Sequence, residues 1–395
     1  MVEAELYGRL DASMQIDNQR ANPSFVQYGL ADIHFDDKQQ GLRTGTTLLI
    51  RQRDEDNEQQ LQQLYIEKSS GNTSLLVGRT ERADGLGLYT LDGGNFKIRR
   101  DDALIELYGG KPSRIEGISS TPAKWLYGGR ILLNHKPNWV LVNQLESRFS
   151  LTRYQDQADD SATRFGFGLR SDGETGAPHH DRLHLLLQGN YLINERRLEG
   201  LHARVITLLD KQSDISFSYQ RQRPDEQQPT LSGRFYNSYS RGEQSVTRLS
   251  YNQRQLNGIN WSLTGRNVFH AYGSSGAGAN GALRWIETKG LYWQAEVDWI
   301  ALGDEQIGTL YLRRTAQITP LQKLALSGVI QQQLQQYGDD NQATGIEAKW
   351  EQRLDSELRF SLSTLYLYNS DKRNEFRLAA RVSYRFDDRK RRVWQ

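Results

Sequence analysis

The side chains able to do chemistry in this sequence are charges set at every second position. Near the C-terminus Arg377, Arg381 and Arg385 share one face of an alternating run with Glu375, Ala379 and Ser383. Near the N-terminus Glu3, Glu5, Arg9 and Asp11 do the same, as do Glu296 with Asp298, Glu347 with Lys349, and Arg359 among serines. Arg148, Arg204, Arg248 and Arg266 occupy matching places in further runs. Fixed charges along a wall concentrate and steer solutes of opposite sign; they neither make nor break bonds. The residues of catalysis are thinly supplied. Cysteine is absent, which excludes Cys-ligated zinc, iron–sulfur clusters, covalent haem and a thiol nucleophile. His179, His180 and His184 form a His-rich stretch, which a polar loop beside a strand explains as well as a metal does. Gly85 and Gly87 lack the strand-to-helix setting of a nucleotide loop. The reading is therefore a non-enzyme with no cofactor and no metal.

Alternation fixes the element that carries these charges. In Val2 to Ile16 the even positions are Val, Ala, Leu, Gly, Leu, Ala, Met and Ile, and the odd positions carry Glu3, Glu5, Arg9 and Asp11. A helix of period 3.6 would mix the two sets; a strand of period 2 separates them. The runs at 291–299, 346–351, 358–363 and 375–386 repeat the pattern. Several last 9 residues or more, nearer the 9–11 that a tilted strand needs to cross a bilayer than the 5–6 of a soluble sandwich. Composition agrees. The 395 residues are only 37% hydrophobic, with a mean hydropathy of −0.72, too polar for large soluble cores. Aromatics nevertheless reach 10% and net charge is only +2, unlike a disordered chain. A wall that is apolar on one side and wet on the other satisfies all of these.

The expected fold is all-β: a single transmembrane antiparallel up-and-down barrel over residues 1–387, of about 22 strands with 20 as the alternative, followed by a basic tail at 388–395. Gly71-Asn72, Asp101-Asp102, Asn257-Gly258, Lys289-Gly290 and Asp355-Ser356 read as hairpin turns. Longer polar links are expected at 53–59, 171–181, 271–281 and 337–344. Trp125, Tyr127, Trp139, Trp261, Tyr366 and Tyr368 stand beside turns, where amphipathic rings settle at the headgroup level. The opening directly on a strand, after Met1, reads as a mature chain whose signal peptide is gone.

Short motifs carry a resemblance. Leu6-Tyr7-Gly8-Arg9-Leu10-Asp11 resembles the first strand of Gram-negative outer-membrane porins. Leu64 to Glu67, the Gly71-Asn72 turn and Leu75 to Arg79 resemble a porin hairpin that precedes a pore-narrowing loop, and 91–110 is similar to wider porin-like channels. The resemblance covers about a quarter of the chain. It implies that the segment Ala83 to Asp92 folds inward, with Asp84 and Asp92 opposite Arg79 and Arg99. It also implies that Phe386 stands for the family's terminal Phe, although Asp387 to Gln395 extend beyond it.

An inward face carrying Arg9, Asp11, Arg148, Arg204, Arg248, Arg266, Glu296, Asp298, Lys349, Arg359, Arg377, Arg381 and Arg385 must be wet or filled by a polar partner, since drying such charges costs several kcal/mol per ion. Three functions fit. The first is a porin-like channel of the bacterial outer membrane for polar or anionic solutes, with lipid as its surroundings. The second is a sheath around a lumen-filling or periplasmic partner such as a multihaem cytochrome in an electron-transfer conduit. The third is an export channel for acidic polysaccharide. The balance of 50 basic to 48 acidic residues makes no case for nucleic acid.

Overall fold

The computed structural model describes residues 4–18, 24–53, 56–84, 87–114, 123–136, 144–156, 161–172, 183–222, 244–254, 258–270, 275–288, 290–335, 341–370 and 374–387. They form 22 strands: β1 (Ala4–Asp17), β2 (Ser24–Asp37), β3 (Leu42–Arg53), β4 (Asp56–Ser70), β5 (Thr73–Asp84), β6 (Gly87–Arg100), β7 (Ala103–Arg114), β8 (Ala123–His135), β9 (Gln144–Asp156), β10 (Ser161–Asp172), β11 (Leu183–Leu192), β12 (Arg197–Leu208), β13 (Ser213–Gln222), β14 (Gln244–Arg254), β15 (Ile259–His270), β16 (Gly276–Thr288), β17 (Leu291–Leu302), β18 (Glu305–Thr319), β19 (Gln322–Gln335), β20 (Asn341–Arg353), β21 (Leu358–Asn369) and β22 (Glu375–Asp387). Each pairs antiparallel with its sequence neighbours in one 22-stranded sheet. β1 pairs with β22 from Tyr7↔Asp387 to Asp17↔Arg377, so the sheet closes and has no free edge. Closure removes the unpaired backbone groups that neither lipid nor a soluble surface tolerates. Ala4 and Asp387 stand on one rim, called here the terminal rim; the strand ends at Asp17, Asp84, Gln222 and Gln335 stand on the other, the distal rim.

Register follows the hydrophobic face. A one-residue slip would turn every apolar side chain inward, so the pattern pins the pairing. Leu6, Leu10, Met14 and Ile16 of β1 are exposed on the outside, and across the seam Phe386, Tyr384, Ala380 and Leu378, the partners of Gly8, Leu10, Met14 and Ile16, share that face. The outside carries many more exposed apolar residues, among them Ile66 (59%), Val77 (58%), Leu249 (58%) and Ile346 (58%). A contiguous apolar belt of this extent faces lipid. Aromatic rings mark its margins. Toward the terminal rim stand Trp261, Trp285, Trp293 and Trp350; toward the distal rim stand Tyr127, Phe269, Trp299 and Tyr366. Trp261 and Phe269 are eight residues apart on β15, about 26 Å along a strand and roughly 20 Å of membrane depth at a 40° tilt.

The structure extends several strands beyond the sequence expectation. The stretch 53–59, expected as a polar link, is the end of β3 and the start of β4, with Arg53↔Asp56 paired. Strands β16 and β20 likewise begin at Gly276 and Asn341, inside expected links. The wall continues past the lipid at the distal rim, where both faces are wet and alternation lapses. The expected turns at 71–72, 101–102, 290 and 354–357 all lie on the terminal rim. Asn257, Lys289, Trp139 and the tail 388–395 lie outside the described residues, as does the 223–243 link, which the sequence reading had not singled out.

Of the six positive-φ glycines among the described residues, Gly78 is the one inside a strand. Gly78 has φ +127°, a conformation closed to L side chains, and a Cβ there would stand 2.2 Å from the Leu64 carbonyl oxygen. It lies beside the irregularity that shifts the β3–β4 pairing between Thr47 and Leu48.

Candidate functional site: the inner wall

The strand period puts charges inside. Pairing carries the inward face round the whole ring: Arg9 pairs with Arg385, Asp11 with Ser383, Arg248 with Arg266, and Asn280 with Asp298. Arg148, Arg204, Glu296, Lys349, Arg359, Arg377 and Arg381 share this face, opposite the exposed Phe149, Val205, Val297, Ile346, Leu362, Phe376 and Val382. All the inner-wall residues named from the sequence therefore stand on one side of the sheet.

Many of them are paired. Asp11, with a side chain only 6% exposed, holds Arg9 at 2.6 Å and Arg381 at 2.7 Å. Arg377 reaches Asp17 at 3.2 Å and Glu375 at 3.0 Å. These contacts tie β22 to β1 and reinforce the seam. Arg266 binds Asp298 at 2.6 Å, with both side chains largely buried, and Asn280 donates to Glu296 at 2.9 Å. Lys349 meets Glu351 at 2.6 Å, and Arg148 meets Glu146 at 3.2 Å. Arg204, Arg359 and Arg385 make no ion pair at contact distance among the described residues, although Arg359 lies within electrostatic reach of Glu351.

The expected inward constriction is not formed. Residues 83–92 belong to a hairpin in which Ala83 pairs with Leu88, Asp84 with Gly87 and Arg79 with Asp92; 85–86 and the side chain of Asp84 lie outside the described residues. Arg79 and Asp92 do meet, at 2.5 Å between Nη2 and Oδ2, but on the outer face beside Leu64, Val77 and Lys111. Arg99 points inward near the terminal rim, far along β6 from that pair. On the inward face of this hairpin Tyr89 and Leu91 pack with Tyr108, Leu126 and Tyr154. The wall has risen above the lipid there, so its outer face can be charged while its inner face forms a small core.

The sequence reading missed a deeply buried charge cluster. Glu106 on β7, 2% exposed, is flanked by Arg82 of β5 at 3.1 Å and Arg130 of β8 at 2.7 Å, and accepts from Asn95 of β6 at 2.5 Å. The Arg82 guanidinium lies 3.6 Å over the Tyr108 ring, and the Tyr108 hydroxyl bonds Thr152 at 2.7 Å. Each residue sits on the inward side of its own run, but only cross-strand register reveals that four strands converge.

Charge is segregated around the lumen. From β8 to β16 the inward side chains Arg130, Arg148, Arg164, Arg170, Arg204, Arg248, Arg254, Arg266 and Arg284 face Glu146 and Asp214 on the same strands; the side chains of Asp156 and Asp172 lie outside the described ones. Across the lumen, β1 to β4 point Glu5, Asp11, Asp17, Asp32, Asp36, Glu58 and Glu67 inward against Arg9, Arg43, Arg51 and Arg53. A circular section of 22 strands with ordinary spacing and tilt has a backbone radius of roughly 22 Å. Near the wall each charge acts within a Debye length of about 10 Å at 0.1 M; the axis lies beyond it.

No protein-family model matches the chain, and no curated protein matches it in sequence. Solved structures similar to it include the P pilus usher (PapC) translocation pore, at 8% identity over 96% of this chain and 99% of that one, with a TM-score of 0.49. Pseudomonas aeruginosa OccK2 (OpdF) in complex with glucuronate shares 11% identity over 98% and 96%, with a TM-score of 0.46. Pseudomonas aeruginosa OccK5 (OpdH) shares 10% over 97% and 98%, with a TM-score of 0.45.

Proposed function

We propose that the protein is a channel of the bacterial outer membrane that passes polar solutes, anionic ones preferentially, along the inward charges described above. The observation that supports this most is the pairing of two faces on one closed sheet: an apolar belt between aromatic girdles outside, and permanent charges inside. A barrel is the one β-architecture that spans lipid with every backbone group bonded. Its inner wall holds too many ions to be dry, so the lumen is water-filled. The basic sector of β8 to β16, where Arg204 makes no ion pair among the described residues, together with Arg359 on β21 and Arg385 on β22, raises the local concentration of anions.

The test is reconstitution of the purified barrel into planar lipid bilayers. Stepwise, ohmic conductance is expected. A silent barrel that co-purifies with a haem-bearing protein would overturn the channel and favour the sheath.

A further inference from the structure

The inner wall near the terminal rim holds a groove of 980 Å³ spanning β10 to β17. We infer that this groove binds amphipathic organic anions, an apolar body carrying carboxylate or comparable acid groups, and so gives the proposed channel its solute preference; the inference rests on the reading of the inward face as wet.

Register sets the layout. Arg170, Leu186 and Arg204 occupy one hydrogen-bonded row, so the two arginines stand about 10 Å apart with a leucine between them. Nearer the terminal rim Arg254, Asn260 and Arg284 repeat the arrangement, again with about 10 Å between the cations. Between the rows lies an apolar floor of Leu186, Ile206 and Leu208, half-buried, while the four arginines are exposed to the lumen. Among the described residues Asp214 is the only acid lining the groove, and Asn252 donates to it at 2.7 Å. No acidic side chain pairs with Arg204, Arg254 or Arg284 among the described residues; Arg284 instead lies 4.5 Å over the Tyr292 ring.

Two physical demands follow from that layout. Exposed guanidinium groups in fixed positions select carboxylate, sulfonate or phosphate groups, because their donors match oxyanions in pairs. The apolar floor adds favourable contact only for a ligand with a hydrocarbon or ring surface. A small inorganic anion meets the first demand and not the second. An apolar cation meets neither. Cations at two separations, across a row and between rows, suit a ligand with two acid groups better than one with a single acid group.

Isothermal titration calorimetry on the detergent-purified barrel tests this with three dianions: phthalate, succinate and sulfate. Phthalate is expected to bind about tenfold more tightly than the other two, the gain that roughly 60 Å² of ring surface on an apolar floor provides. Arg204→Gln with Arg284→Gln should weaken all three dianions. Ile206→Asn should bring phthalate down to the level of succinate and leave succinate unchanged. Retained heat-modifiable gel mobility shows that each variant is folded; if Ile206→Asn is not, Ile206→Ser takes its place. Equal affinity of phthalate and sulfate, or phthalate binding that survives loss of both arginines, overturns the groove. Because calorimetry needs no ion flow, phthalate binding by a barrel that does not conduct would keep the groove and sink the channel. Conductance without phthalate binding would do the reverse.

Discussion

Replacing Ala380 by Arg tests the two-faced wall one residue away from a natural arginine. Ala380 lies on the outer face of β22, opposite Met14 of β1 and Leu362 of β21. Phe376 and Tyr384 flank it on the same face at four residues each, so it sits about 13 Å along the strand from either margin. An arginine at that depth costs about 2–4 kcal/mol in an outer-membrane barrel, roughly 30- to 1,000-fold in the folding equilibrium. Arg381 is its neighbour on the inner face, bonded to Asp11 at 2.7 Å with a side chain about half exposed. Arg381→Ala leaves Arg9 on Asp11 at 2.6 Å, so the loss is that of one partly screened ion pair, about 0.5–1 kcal/mol. Urea titrations of folding into phosphatidylcholine vesicles, read by heat-modifiable gel mobility, measure both. Equal sensitivity at 380 and 381, or greater sensitivity at 381, would refute the register and with it the assignment of every inward charge.

Asp298→Ala should destabilise the barrel by about 3–5 kcal/mol in the same assay, because it leaves the largely buried Arg266 without its carboxylate. Replacing the pair together, Arg266→Met with Asp298→Leu, should cost less than the single change. Gly78→Ala should destabilise by about 1–3 kcal/mol, since φ +127° is closed to alanine, whereas Gly281→Ala, with open space around its Cβ position and no positive φ, should be near neutral. At the β20–β21 turn, the backbone amides of Glu357 and Leu358 each donate to Asp355 at 2.6 Å and hold its carboxyl below the ordinary 3.8. A depressed carboxyl stabilises above its unfolded value and loses that contribution as pH falls through the folded one. The Leu358 amide shift should therefore titrate with a midpoint below 3.8, and should stay flat in Asp355→Asn.

Much of this wall was legible from alternation alone, because a lipid face opposite a wet one imposes a strict period of 2. That signal sufficed for the strand class, for a count of about 22 with 20 as the alternative, and for setting residues such as Arg9, Asp298 and Arg381 on one face of the sheet. It failed where the wall leaves the membrane. At 53–59 both faces are wet, so the strand ends of β3 and β4 looked like a loop. At 83–92 the rule inverts: Tyr89 and Leu91 turn inward into a small core while Arg79 and Asp92 pair outside, and the glycines at 85 and 87 completed the likeness to an inward-folded loop. The cluster around Glu106 was hidden for another reason. Arg82, Glu106 and Arg130 come from three strands, and their meeting depends on register between hairpins, which no single run of sequence encodes.

The sign of ion selectivity tests the central claim most directly. Reversal potentials across a planar bilayer, with 0.1 M KCl facing 1 M, compare the wild-type barrel with one carrying Gln at positions 204, 359 and 385, three of the inward arginines that make no ion pair among the described residues. The wild type should favour chloride modestly, because wall charges dominate near the wall while the axis lies beyond their reach. The triple variant should move toward no preference. A wild type that selects potassium, or a triple variant with an unchanged potential, would contradict a lumen governed by the inward arginines.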